Sequence, residues 1–172
     1  MLATRPGRRV ADDSGASAVE FALVVPILLL LVFGIINFGI IFSQQLTLNN
    51  AVREGARRAV VNDPGSPRSC DQILASVKND LSGLALNKSA VQVKITQSGF
   101  TSSNACGSSF QSTTFGATAS NIPCKGSLAG SGPIPSLQVE TQYVSNIPVA
   151  FPPFPTTITL SSKAVYRCEF TA

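Results

Sequence analysis

The longest pattern in the chain is an apolar run without a charged residue, from Phe21 to Phe42. At ~1.5 Å per helical residue its 22 residues reach ~33 Å, more than the ~30 Å hydrocarbon core of a bilayer. The run therefore predicts a transmembrane helix. Within it, Pro26 lacks a backbone donor and predicts a kink. Asn37 is strongly polar in mid-membrane, and we interpret it as a helix–helix contact rather than part of a conduction path.

Helical periodicity continues beyond the apolar run, where small and apolar residues recur every three or four positions from Leu48 to Val60. Glu54 is spaced to pair with Arg57 and Arg58 on the opposite face. The pattern predicts one helix of ~45 residues, ~70 Å long, that ends at Asn62-Asp63-Pro64-Gly65. Its stripe of small residues fits a packing groove within the subunit and an interface between subunits equally well: Ala51, Gly55, Ala56 and Ala59.

The remaining chain predicts a short helix and three strands. Residues 70–81 have helical periodicity, with one apolar side. Apolar and polar residues then alternate in three segments, 91–96, 137–143 and 158–170, as in strands with one buried face. We expect these strands to form an antiparallel sheet that packs on a helix.

Two connections join these strands. Residues 99–136 are rich in Ser, Thr, Gly and Asn and predict a long surface loop that needs a cross-link of its own. The second connection is apolar and rich in Pro, and its Phe151 and Phe154 are interpreted as a cap on the core of the sheet rather than an adhesive contact.

These patterns predict an α+β fold with four parts. They are a leader at 1–15, a transmembrane helix at 16–42, a helical stalk at 43–62 and an extracytoplasmic α+β domain at 63–172 with the loop at about 99–136. A cleaved secretory signal is disfavoured, because the apolar core is longer than the ~7–15 residues of such signals and Ser43-Gln44-Gln45-Leu46 offers no small-x-small site.

Four cysteines, Cys70, Cys106, Cys124 and Cys168, follow the membrane run and predict two disulfides in an oxidising compartment. A four-thiolate zinc site is the alternative, but such sites usually bring C-x-x-C pairs, which are absent here. Sequence leaves three connectivities open, and we expect Cys106–Cys124 as a local staple with Cys70–Cys168 as a long-range tie. Arginines flank the membrane run on both sides, so the cysteines decide the orientation: N-terminus in the cytoplasm, C-terminal part outside.

Composition argues against an enzyme and against nucleic-acid binding. The chain has no His, so a Ser or Cys nucleophile lacks its usual base, and no pair of its nine carboxylates is singled out for hydrolysis. Its net charge of +4 is spread along the sequence rather than clustered. We therefore expect no catalytic residue, no metal, no cofactor, no small-molecule substrate and no nucleic-acid partner.

One carboxylate, Glu20, stands directly before the apolar run, where an ionisable group is unfavourable and needs a partner. One interpretation is a capping box, in which Ser17 caps the helix and Glu20 bonds back to it. The other begins with cleavage after Gly15. The new amine of Ala16 then lies one helical turn from Glu20, and each charge offsets the desolvation of the other. Between neighbouring subunits the same pair can set the register of adjacent helices.

The string Gly15-Ala16-Ser17-Ala18-Val19-Glu20-Phe21 before an apolar helix resembles the prepilin processing signature of type IV pilin-like proteins. Over residues 15–59 the chain resembles the TadE-like pseudopilins of tight-adherence (Tad/Flp) pilus systems, on Ala18 to Pro26, Phe38-Gly39 and Ala51 to Arg57. Ile158 to Glu169 resembles the last strand of such proteins. Residues 60–136 carry no family signal.

The resemblance implies a type IV pilin-like architecture and a minor pseudopilin of the bacterial inner membrane that acts structurally in pilus assembly and surface adherence. A prepilin peptidase would cut between Gly15 and Ala16. Other Tad pilus subunits and inner-membrane assembly proteins would be its partners. The alternative is an uncleaved, single-pass, membrane-anchored extracellular binding domain unrelated to any filament.

Overall fold

A computed structural model describes residues 14–61, 68–82, 86–100, 106–107, 109–116, 122–124, 134–147 and 155–169. The elements are helix α1 (Ser14–Val60), helix α2 (Cys70–Asp80), a 3₁₀ turn (Lys88–Ala90) and strands β1 (Gln92–Ser98), β2 (Ser136–Asn146) and β3 (Thr157–Arg167). This confirms the predicted α+β class, with a long first helix, a short second helix and a three-stranded antiparallel sheet. The chain divides into two compact units, of which the first ends at Ile36 and the second begins at Asn37.

In the N-terminal unit, α1 is apolar on every side and its large side chains are exposed, so no internal core covers them. Helix α1 is long and apolar enough to cross a membrane, and its most apolar 18-residue window has a mean hydropathy of 2.8. Pro26 lies inside the helix, and the kink expected there stays a prediction. The helix ends at Val60, slightly before the predicted stop at residues 62–65, which lie outside the described residues.

In the C-terminal unit, one face of α1 is buried against α2 and the sheet. The small residues of the predicted stripe belong to this face, as do the larger residues between them: Leu48, Ala51, Val52, Gly55, Ala56, Ala59 and Val60. A Cβ built on Gly55 would lie 2.3 Å from Cγ2 of Val77 in α2. The stripe is therefore a packing groove within the subunit, because only a residue without a side chain lets the two helices approach this closely.

Helix α2 forms where the sequence predicts it, with a capping box at its start. The Ser69 hydroxyl accepts from the Gln72 N–H at 3.3 Å, and the Ser69 N–H donates to Gln72 Oε1 at 2.9 Å. The apolar side of the helix is buried in the core, as its periodicity predicts. Its members are Ile73, Leu74, Val77 and, at the C-cap, Leu81.

The sheet has the strand order β1-β2-β3 and is antiparallel throughout. Burial alternates along β2, where Leu137, Val139 and Tyr143 face the core, and this confirms the period-two prediction. Two polar residues, Thr141 and Ser145, also lie on the buried face of β2. Ile158 differs from the prediction: its side chain remains 38% exposed, although it lies on the helix-facing side of β3.

The predicted disulfide pairing is wrong. The bonds are Cys70–Cys106 and Cys124–Cys168, each with a Cα–Cα distance of 5.5 Å. Neither disulfide therefore closes the loop between β1 and β2 on itself. Each one joins a cysteine of the loop to another part of the chain, at the start of α2 or just after β3. Its residues 109–116 run beside α2, where the Phe115 N–H donates to Asp71 Oδ1 at 2.6 Å. This path brings the loop to Cys70 at the start of α2 rather than back to its own second cysteine.

The second bond lies at the end of the sheet where β1 finishes. The Cys124 N–H donates to the buried Gln97 Oε1 at 3.2 Å, and the Cys168 N–H donates to the Pro135 carbonyl at 3.0 Å. Cys124 has a φ of 63°, in the left-handed region that is unfavourable for most non-glycine residues. The hydrogen bond to Gln97 and the disulfide hold it there.

We expect Gly55→Ala to lower the free energy of unfolding of the C-terminal unit by up to about 2 kcal/mol. The overpacking against buried Val77 costs about 1–3 kcal/mol, and alanine recovers about 1 kcal/mol through its higher helix propensity. Chemical denaturation of the detergent-solubilised protein measures the difference. In a Val77→Ala background the clash is removed, so Gly55→Ala should be neutral or stabilising; equal destabilisation in both backgrounds would contradict close packing at this point.

Candidate assembly site

The predicted processing bond lies in the first turn of α1. Gly15 and Ala16 are both helical and exposed, and a Cβ added to Gly15 would meet no atom within 4 Å. The capping-box interpretation of Ser17 is wrong, because α1 begins at Ser14 and Ser17 therefore lies inside the helix. The Gly-Ala-Ser-Ala stretch contains no residue that stops a helix, so the helix starts before the predicted cap. Of the leader, residues 1–13 lie outside the described residues.

Glu20 lies one turn after Ala16 on the same face of α1, as the spacing of four residues requires. Its side chain is exposed. Among the residues that the structure describes, no cationic group lies within ion-pair distance of Glu20. Glu20 is therefore an exposed carboxylate whose helical neighbour on this face, one turn before it, is Ala16.

The predicted membrane residues divide between the two units. Phe21 and Pro26 belong to the first unit, in which Phe21 is 70% exposed. Asn37 and Phe42 belong to the second, in which Asn37 is half-buried and Phe42 is exposed. The Phe42 ring stacks on the ring of Phe38, with centroids 6.0 Å apart. The folded unit thus begins inside the apolar run rather than after it.

Three polar side chains of α1 attach the sheet to the helix. Gln44 and Ser145 hydrogen-bond through their side chains, and Ser162 makes the same kind of contact with Asn49. The Gln45 Nε2 donates to the Ser161 carbonyl at 2.8 Å. Sequence reasoning missed these contacts. Two features of the sequence could have indicated them. Polar residues of α1 lie next to the apolar stripe that contains Leu48, and serines occupy strand positions that face the helix.

An ion-pair cluster joins α1 to α2 and confirms the predicted pairing of Glu54. The distances from Glu54 are 3.4 Å to Arg57 and 2.8 Å to Arg58, and Arg58 also lies 3.2 Å from Asp80 of α2. The hydrogen bond from Arg58, together with the charges of both arginines, lowers the pKa of Glu54 against a smaller opposing effect of desolvation. The cluster therefore supports the helix pair at neutral pH.

In the described ranges, no group of three or more His, Cys, Asp or Glu side chains is arranged to hold a metal ion. All four cysteines form disulfides instead. The described part of this site thus presents one carboxylate, Glu20, before an apolar helix.

The segment that contains Gly15, Ala16 and Glu20 is similar to a known protein family. The family model of the TadE-like proteins matches residues 15–57. The match confirms the resemblance of the N-terminal segment and covers about a quarter of the chain, whereas the resemblance of Ile158 to Glu169 stays a prediction. It begins at Gly15 and includes Glu20, the apolar part of α1 and Glu54. No curated protein and no solved structure matches the chain.

Proteins of that family are associated with the Tad pilus and are structural rather than enzymatic, so the match suggests an association of this chain with a Tad pilus. The apolar helix is compatible with a single-pass membrane anchor. The α2–sheet part of the C-terminal unit lies beyond the matched residues. Its two disulfides therefore lie outside the part of the chain that is similar to the family.

Proposed function

We propose that this protein is a minor pseudopilin of a Tad/Flp-type pilus that acts structurally in pilus assembly and surface adherence. The observation that carries the proposal is the TadE-like match that starts at Gly15, with the exposed Glu20 one turn after Ala16 on α1. The peptidase that processes prepilins would cut between Gly15 and Ala16. Cleavage removes three Arg and two Asp, so the net charge falls from +4 to +3.

The new ammonium group at Ala16 and the Glu20 carboxylate then occupy neighbouring positions at the edge of the membrane. When the two groups pair, their mutual attraction offsets part of the desolvation cost that each charge has at the membrane edge. An amine of one subunit and a carboxylate of the next can form the same pair, which fixes the axial register of two apolar helices. The Gly15–Ala16 and Glu20 positions are thus a processing and assembly site rather than a catalytic one.

The proposed location is the bacterial inner membrane, with the leader in the cytoplasm and the C-terminal unit outside. Two disulfides support an oxidising environment for that unit. Its partners in this proposal are the membrane, the prepilin peptidase, other Tad pilus subunits and the inner-membrane assembly proteins.

The first residue of the mature protein tests the proposal most directly. In cells with the peptidase, mass spectrometry of the membrane fraction should find an N-terminus at Ala16, and Gly15→Ala should abolish it. Because a Cβ at Gly15 meets nothing, loss of cutting reports recognition rather than misfolding. Gly34→Ala is the matched control, since it also adds a methyl group to an open position on α1; its processing should be normal.

An N-terminus at Met1 in such cells would contradict the pseudopilin assignment. The protein would then be an uncleaved, membrane-anchored extracellular binding domain, and Gly15→Ala would have no effect.

A further inference from the structure

One end of the sheet lies against the part of α1 where the apolar run finishes. We call it the hairpin end and define it as residues 143–147 of β2 and its continuation with residues 155–160 leading into β3. The Gln44–Ser145 and Gln45–Ser161 hydrogen bonds fix this end to the helix. The Ile147 N–H donates to the Thr156 carbonyl at 2.9 Å, so the two strands remain paired just beyond β2.

Burial along α1 shows how far the folded unit reaches toward the membrane segment. The buried stripe that includes Leu48 and Gln44 continues through half-buried Ile41 and Ile40 to Asn37. Asn37 is also the first residue of the C-terminal unit. Since the charge-free apolar run extends to Phe42, its last six residues belong to the folded unit.

The apolar run before Asn37 is too short to cross the hydrocarbon core of a bilayer by itself. Glu20 belongs at the inner edge of the membrane, because a carboxylate within the hydrocarbon is strongly unfavourable. From Phe21 to Ile36 there are sixteen residues, which reach ~24 Å, whereas the hydrocarbon core is ~30 Å thick. The span therefore needs about four residues more. These come from the turn of α1 that begins at Asn37.

The surface of the hairpin end is suited to the outer interface of the membrane. Its described residues carry no charged side chain. Val144 is 53% exposed and Ile158 38% exposed, and on the helix Phe38, Phe42 and Leu46 are exposed as well. Val165 at the other end of the sheet is equally exposed, so what distinguishes the hairpin end is that its exposed apolar residues lie beside the end of the apolar run of α1 and without charged neighbours in the described part of that end. In the interfacial layer of a membrane the same side chains are favourably placed.

We propose that the hairpin end rests in the outer interface of the membrane that α1 spans, with Val144 and Ile158 in contact with lipid. The inference rests on the membrane anchorage in the proposed function and adds a second lipid contact, made by the sheet.

The absence of tryptophan from the chain allows a direct test. Val144→Trp and Val165→Trp each introduce a single reporter in the full-length protein. Both valines are 53% exposed, and both lie on the face of the sheet that points away from α1. Val144 pairs with Thr159, six residues before Val165 on β3, so the two sites are ~20 Å apart along the strand.

The proteins are reconstituted in phosphatidylcholine vesicles with or without bromine on acyl carbons close to the glycerol. We expect brominated lipid to quench Val144→Trp several-fold more than Val165→Trp, and the Val144→Trp emission to be shifted to the blue. Equal quenching of the two, whether strong or weak, would overturn the inference. Failure of the full-length protein to float with the vesicles would instead overturn the membrane anchor itself, and with it the proposed function.

Discussion

Removing the Cys124–Cys168 bond with a double substitution to Ser is expected to lower the free energy of unfolding of the C-terminal unit by about 4 kcal/mol. The bond joins residues 44 positions apart, and closing a loop of this length removes about that much conformational free energy from the unfolded chain. A domain of ordinary stability has about 5–15 kcal/mol in total. The variant should therefore keep only about 1–11 kcal/mol and unfold at a clearly lower denaturant concentration.

Tyrosine fluorescence during chemical denaturation measures this change, because the chain has no Trp and its two tyrosines lie in the sheet. Tyr143 is buried and Tyr166 half-buried, so both report on the core. The Cys70→Ser/Cys106→Ser variant is the matched comparison, since its bond spans 36 positions and the expected loss is similar. Peptide mapping that found Cys106 joined to Cys124 would contradict the pairing, and an unchanged denaturation midpoint would contradict its contribution.

Replacing Glu20 by Ala is expected to leave membrane insertion and cleavage intact but to reduce surface piliation strongly. The new ammonium at Ala16 would lose the carboxylate one turn away. An unpaired charge in a membrane helix is unfavourable by at most about 3 kcal/mol on insertion scales. We therefore expect the number of assembled pili to fall by about one to two orders of magnitude. Electron microscopy of complemented cells counts them.

Glu20→Gln separates charge from shape, because it retains the size of the side chain and removes only the negative charge. It should reduce piliation as much as Glu20→Ala does. Normal piliation with Glu20→Gln would show that the charge pair does not set the register. Glu54→Gln serves as the control on the same helix: its partners are Arg57 and Arg58 in the folded unit, so it should affect stability more than assembly.

The regular elements of this fold could be predicted because each buries one face. In α2, the spacing of Ile73, Leu74 and Val77 leaves only one helical arrangement that puts all three in the core. In β2, Leu137 and Val139 alternate with polar residues in the same way. The segment around Glu20 could be recognised because a carboxylate beside a charge-free run needs an explanation.

The disulfide pairing could not be predicted, because loop closure depends only weakly on loop length and leaves the possible pairings close in energy. The contacts of the loop with α2, such as that of Phe115 with Asp71, decide the pairing. No local sequence pattern indicates these contacts. The attachment of Gln44 to Ser145 was missed for a related reason. Both residues are polar, and burial of a polar pair depends on their meeting in three dimensions.

The order of the cysteines in the two bonds has a consequence for how the protein matures. The first cysteine pairs with the second and the third with the fourth. In a chain that is translocated as it is synthesised, each bond can thus close as soon as its later thiol emerges. A nested arrangement would instead hold the first thiol open until the last had crossed. Oxidation in that order would give the native pairing without a step in which a wrong bond is exchanged for a right one.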